Sequence, residues 1–341
     1  MADDLYIAGN SQEKLAYEEK LFRETLKADF FGVNGMSGSD YNSVIHVDNE
    51  FTSMSGYEKQ MQLVYELDGE GVEEGQTLEG NEEALRYDDN KVQLKRYRHA
   101  VKGGTFMQNQ RVFWSIDNVS REKLGTWLTQ KNERLKFQYL QDGVTNKVFG
   151  NGKANRAALT ATDTLDSKTL RKMRIVAETG GQGKFNPMKP INVMGGNYYV
   201  LLIHPDQEFD LFEDATFRES LKYGLQRSSD HPLLTNALAV TEGLAIFSTR
   251  HIELTSNGGG GAIPTAKSLL LGAGALYQLN GKRGSIISKK FDFDEEVRHA
   301  IDLTVGYEKP KFKVNDKGNA KDWGVMSFET ARTDISDIVK E

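Results

Sequence analysis

Six histidines, at His46, His99, His204, His231, His251 and His299, are the side chains best suited to ligate a metal or relay a proton, and they lie far apart. None forms a His-x-His or His-x-x-x-His pair, so no local metal box exists, although assembly from distant positions stays open. Phosphate loops fare no better. Gly183-Lys184 and Gly281-Lys282 lack the following Ser or Thr, and Glu178 and Leu276 stand where the upstream glycine belongs. LLLGAGALY (Leu269–Tyr277) offers Gly272 and Gly274, but Tyr277 occupies the third glycine of a dinucleotide fingerprint. GMSGS (Gly35–Ser39) misses a nucleophile elbow by one position, and FDFDEE (Phe291–Glu296) lacks the glycine and closing glutamate of a calcium loop. The 49 Asp and Glu residues mark no particular pair for acid–base work. The expectation is a non-enzyme with no catalytic, cofactor-binding or metal-binding residues; a metal- or nucleotide-dependent enzyme is the competing class.

The charge pattern is more informative. Glu66–Asn90 (ELDGEGVEEGQTLEGNEEALRYDDN) carries Glu66, Asp68, Glu70, Glu73, Glu74, Glu79, Glu82, Glu83, Asp88 and Asp89 against the single Arg86, with no lysine. Its flanks, Gln60–Leu67 and Lys91–Val101, alternate in a way that predicts a two-stranded ribbon. A lone hairpin with so few apolar residues at its tip is marginal in water, so it should lie on something else, such as another copy of the chain. An acidic tip also needs a cationic surface. The candidate contacts are Glu73, Glu74, Glu79, Glu82, Glu83 and Arg86 on the ribbon side. Arg121, Lys123, Lys131, Arg134, Arg171 and Lys172 are the candidates on two helices. Ordinary solvated faces are the competing reading, because exposed ion pairs contribute only about 0–1 kcal/mol each.

The elements that would position these charges follow from periodicity. Ser11–Phe31 places Leu15, Phe22, Leu26 and Phe30 on one helical face. Gln110–Asp142 predicts one long helix of about 50 Å, with Ile116, Leu124, Trp127, Leu128, Leu135 and Tyr139 inward, Gly125 as a weak point and Gly143 as a stop. Lys136 is assigned to its charged outer faces. A second helix is expected over Ser167–Thr179, capped by Asp166 or Ser167 and ended by Gly180-Gly181. Downstream, NYYVLLIHP (Asn197–Pro205) reads as a buried strand, Phe209–Tyr223 as a charged helix, and Gly243–Leu254 as a strand. Ser256–Gly261 reads as a loop tip, Ala266–Leu279 as a buried element of undecided type, Ile287–Glu296 with His299–Tyr307 as a strand pair, and Asp322–Arg332 as a last strand.

The bulk numbers bound the class. The chain has 341 residues, enough for about two folding units. Its 38% hydrophobic and 27% charged content is ordinary for a globular protein. No apolar run approaches the roughly 20 residues that span a bilayer, so no membrane partner is expected. MADDLYIAGNSQEK lacks the basic and apolar regions of a secretory leader. The absence of cysteine removes disulfides and thiolate chemistry and fits a reducing cytoplasm. A net charge of −6 argues against gripping nucleic acid through its phosphates.

Seven stretches, in order, resemble a known family. They are LEGNEEAL (Leu78–Leu85), YRHAV (Tyr97–Val101), YYVLLIHP (Tyr198–Pro205), HPLLTNALAVTEGLAIF (His231–Phe247), LLLGAGAL (Leu269–Leu276), GYEKPKF (Gly306–Phe312) and DWGVMSFET (Asp322–Thr330). They are similar to the coat-protein family named after the podovirus N-four, within the major capsid protein fold of tailed bacteriophages. The resemblance implies an α+β fold, with residues 1–45 an N-terminal arm, 46–105 an extended β-hairpin loop, and 106–196 a peripheral domain with a long spine helix. Residues 197–306 would form an axial domain and 307–341 a return strand of the peripheral domain. It implies hexamers and pentamers tiling an icosahedral head that encloses double-stranded DNA without sequence-specific binding. Portal and possible scaffolding or decoration proteins would be the partners, the virion the location, and the host cytoplasm the place of assembly. An encapsulin-like shell holding cargo enzymes is the alternative. Lysine–asparagine crosslinking, known in this fold, lacks its lysine in Glu66–Asn90, and no fused scaffolding domain is expected.

Overall fold

The computed structural model describes residues 29–52, 56–67, 69–74, 77–111, 116–224, 231–282, 286–293, 295–314 and 317–333. The helix expected over Ser11–Phe31 lies outside these residues except for its last three. Asp29 caps the short helix Phe30–Val33, its Oδ1 accepting the Gly32 N–H at 2.6 Å.

Two sheets and two principal helices build the body. The larger sheet orders Lys147–Phe149, Val325–Ala331, Ile263–Leu271, Gly196–Ile203, Leu244–Ser248 and Ala239–Thr241. Its central strands are buried on both faces. Val200, Leu202, Leu269 and Leu271 pack into one core with Leu124, Leu128 and Leu140 of the spine helix. Tyr199, Leu201, Ile203 and Leu270 pack into a second core with Leu170, Met173 and Ala177 of the second helix. Burial on both sides explains why YYVLLI reads as an unbroken apolar run instead of an alternating one.

The other sheet centres on the long strand Glu296–Glu308. It pairs antiparallel with Lys95–Thr105 along one edge and with Ile287–Phe291 and Leu276–Asn280 along the other. Ile301, Leu303, Val305 and Tyr307 point from it into the spine-helix core.

The spine helix runs Ile116–Gln141, 26 residues and roughly 39 Å at 1.5 Å per residue. Phe106–Arg111 ahead of it is helical as well, and residues 112–115 of the expected stretch lie outside the described residues. Gly125 is buried within it and does not break it. Lys136, assigned above to a charged face, is buried at 2% exposure. Its position is four residues from Asn132 and eight from Leu128, on the inward stripe.

The second helix begins at Asp166, whose side chain accepts the Thr169 N–H at 2.7 Å. It leaves helical geometry at Gly180 (φ 61°), where an added Cβ would sit 2.5 Å from the Phe185 carbonyl oxygen. Only glycine fits that stop.

Other sequence expectations change too. The ribbon's second strand is Tyr87–Gln93, so KRYRHAV leaves the ribbon and joins the sheet over the spine helix. The helix over Phe209–Tyr223 is two helices, Pro205–Glu213 and Ala215–Gly224, divided at Asp214, whose carboxylate accepts from Ser167 and Thr216 instead of continuing the turn. Ala266–Leu279 is two strands separated at Gly272–Ala275, where a Cβ on Gly272 would meet the Lys189 carbonyl oxygen at 2.6 Å.

Candidate inter-subunit surfaces

The acidic insert caps a hairpin formed by Glu58–Val64 and Tyr87–Gln93. The two strands alternate cleanly. Lys59, Met61, Leu63, Asp88, Asn90 and Val92 face the body, while Glu58, Gln60, Gln62, Val64, Tyr87, Asp89, Lys91 and Gln93 face outward. The inward face is bolted at several points. Lys59 Nζ lies 2.5 Å from Asp48 Oδ2 and also meets Glu50. Burial alone would raise the Asp48 carboxyl, but hydrogen bonds from Lys59 and Tyr277 outweigh it and hold it below the usual range. Further along, Asn90 donates to the Lys309 carbonyl at 3.4 Å, and Tyr65 Oη donates to the Lys313 carbonyl at 2.9 Å. The Lys313 N–H in turn donates to Asp88 at 3.0 Å.

Beyond Tyr65 and Arg86 the tip makes polar contacts within itself. Glu83 accepts from the Gly69 N–H at 2.8 Å and pairs with Arg86 at 3.3 Å, and Glu82 accepts from the Gly80 N–H at 2.9 Å. Glu70, Glu73, Glu74 and Glu79 are exposed. Leu67, Leu78 and Leu85 are 61%, 68% and 68% exposed, with no core of their own to enter.

Among the described residues the structure brings together Glu83 and Arg86 of the expected contact residues. Arg121, Lys123 and Arg134 are exposed on the spine helix. Lys131 Nζ sits 4.9 Å above the Tyr97 ring. Arg171 pairs with Glu242 at 2.9 Å, and Lys172 is exposed.

Two arrangements had no local sequence signal. The first is a buried polar cluster where the N-terminal segment meets the spine helix. Lys136 Nζ donates to Asp29, Asn132 donates to the same carboxylate at 3.4 Å, and Tyr307 Oη donates to Asn132. The second is a groove of about 370 Å³ at the C-terminal end of the spine helix, lined by Lys95, Tyr97, Leu135, Tyr139, Lys309 and Lys311 among others. Lys95 donates to Tyr139 Oη at 2.8 Å and Lys309 to the Asp142 carbonyl. Burial pushes the Lys309 ammonium down to about 8 and the nearby Glu308 carboxyl up. Lys309 and Lys267, which donates to the Gln141 carbonyl at 2.7 Å, close the helix C-terminus, where cations and the macrodipole attract.

Among the described residues no three His, Asp or Glu side chains group as a metal site, and no helix is long and apolar enough to cross a membrane.

A long helix crossing beneath a long-stranded sheet, a projecting hairpin and a second sheet with its own core define a phage capsid fold. The capsid of Ralstonia phage GP4 superposes with a TM-score of 0.78 at 24% identity, covering 91% of this chain and 92% of that one. The capsid of cyanophage Pam1 gives 0.76 at 17% identity over 90% and 93%. The major capsid protein of Pseudomonas phage KPP25 is 25% identical over 94% of this chain and 96% of its own length. Residues 7–333 match the family described as phage capsid protein, and the chain belongs to that family. It is a structural, major capsid protein of a phage, a component of the virion, and these relatives favour that reading over an encapsulin-like compartment.

Proposed function

We propose that copies of this chain assemble as hexamers and pentamers into an icosahedral head that encloses double-stranded DNA. The observation that carries this is the projecting hairpin in a member of a capsid family. Its base is bolted to the body, while its tip exposes Leu67, Leu78 and Leu85 beside a run of carboxylates. Apolar surface of that kind gains about 25 cal/mol for each Å² removed from water, and a neighbouring subunit is the surface available in a lattice.

In this reading residues 1–45 act as an arm, 46–105 as the extended loop, 106–196 and 307–341 as the peripheral region, and 197–306 as the axial region. The lever within the loop is Glu58–Gln93, and Lys95–Thr105 returns along the spine helix. The charged contacts run from Glu73, Glu74, Glu79, Glu82, Glu83 and Arg86 toward basic groups of the next copy, with Arg121, Lys123, Lys131, Arg134, Arg171 and Lys172 as candidates. Each contact is weak, but repetition over a closed lattice makes the sum large. The net charge of −6 supports enclosing DNA without binding its sequence. Assembly in the host cytoplasm, a portal at one vertex, and scaffolding or decoration proteins complete the proposal. Negative-stain imaging of the purified chain tests it: closed polyhedral shells are expected, and a chain that stays monomeric at every salt and concentration refutes it.

A further inference from the structure

Beneath the stem of the hairpin the structure leaves a cavity of about 340 Å³, and we infer that it binds a small organic anion with an aromatic body. The ring system would lie between the stem and the body of the same chain, and the acidic group would face Lys189.

Three observations lead there. The first is lining and space. The stem supplies Met61 and Leu63 as one wall, and Tyr277, Phe312 and Trp323 stand across from them. Phe312 and Trp323 meet edge to face with ring centroids 5.7 Å apart. Aromatic rings and a thioether suit an aromatic guest, and the volume falls at the lower end of the range of small-molecule sites. At the floor, a Cβ added to Gly274 would meet nothing nearer than Trp323 Cδ1 at 4.0 Å, so the space there is open.

The second observation is charge. The lining holds two lysines, Lys59 and Lys189, and no carboxylate. The chain as a whole carries 49 Asp and Glu against 43 Lys and Arg, so this local excess of cations runs against its composition. Lys59 is held by Asp48 and Glu50. Lys189 is exposed and forms no ion pair among the described residues, while its carbonyl accepts the Ala273 N–H at 2.8 Å and fixes its backbone against the floor. A cation anchored at the edge of an apolar cavity favours a ligand whose charge is negative. The third observation is an unanswered polar group. His46, on the same lining, is 7% exposed, and its Nδ1 meets no hydrogen-bond partner among the described residues. Buried ring nitrogens are usually satisfied, so this wall has polar capacity left for a guest.

Two dyes that share their rings test both halves on the purified chain: anilinonaphthalene sulfonate, which carries the charge, and phenylnaphthylamine, which does not. Both should bind with a rise in fluorescence that saturates at one molecule per chain. Lys189→Gln should weaken the sulfonate by about fivefold, the worth of one partly exposed ion pair, and leave the neutral dye unchanged. Met61→Trp, which fills the cavity from the stem side, should abolish saturable binding of both; where that variant does not fold, Leu63→Trp gives the same reading. Dyes that bind the filled variant as they bind the parent sit elsewhere, on the exposed leucines of the tip for example, and overturn the site. Equal sulfonate affinity in Lys189→Gln and the parent overturns the anion assignment. Binding by the dispersed chain that disappears in assembled shells gives the cavity to a neighbouring copy and overturns the small-molecule occupant.

Discussion

Two lysines show how burial sets the behaviour of single residues here. Lys136 is 2% exposed beside an Asp29 that is fully buried, and the pair ties the N-terminal segment to the spine helix. Removing one partner of a buried pair strands the other charge, at a cost of about 3–5 kcal/mol. Lys136→Met is therefore expected to lose most of that by chemical denaturation, and Asp29→Asn with Lys136→Met to recover a large part; equal stability for the single variant and the parent contradicts this. Lys309 works in the opposite sense. Its ammonium titrates near 8 in the folded subunit against 10.5 unfolded, because burial disfavours the charged form. Between those values the unfolded chain binds more protons, so stability rises with pH across that window. The unfolding free energy of the unassembled subunit should climb from pH 8 to 9.5, and Lys309→Met should flatten that climb. A parent with no slope there rules it out.

At the scale of elements, the hairpin separates into a bolted stem and an exposed tip. The last paired residues are Val64 and Tyr87, and Tyr65 still donates its N–H to the Arg86 carbonyl at 3.0 Å. Replacing Glu66–Leu85 by Asn-Gly, a sequence that closes a two-residue hairpin turn, should leave the melting temperature of the isolated subunit within about a degree. A fall of several degrees means the tip packs on its own body. The stem's first strand, the second helix and the strands at Gly196–Ile203 and Val325–Ala331 were legible because each has a local signal: alternation, a cap and a glycine stop, or a bounded apolar run. Other features depend on distant partners. KRYRHAV leaves the ribbon because it pairs with His299–Val305, some two hundred residues away in sequence. The turn dividing Ala266–Leu279 is set by the Lys189 backbone. Lys136 looked like surface because its partner, Asp29, is contributed by a segment over a hundred residues upstream. The acidic side of the candidate contacts was visible as composition. The groove was not, since Lys95 lies more than two hundred residues from Lys309 and Lys311 in sequence.

For the whole molecule, the two cores already bury the sheets and helices of one subunit, so the subunit can fold without its neighbours. Leu67, Leu78 and Leu85 in the tip are among the apolar side chains left uncovered, which suits a lattice protein: a body with its own cores and a projection without one. Members of such a lattice gain register from many weak, repeated contacts instead of one strong one. The decisive comparison is a count of closed shells by electron microscopy for the intact chain and for the chain carrying Asn-Gly in place of Glu66–Leu85, both first shown to be folded. The account expects polyhedral shells from the first and dispersed subunits or open fragments from the second. Normal closed heads from the shortened chain would contradict it.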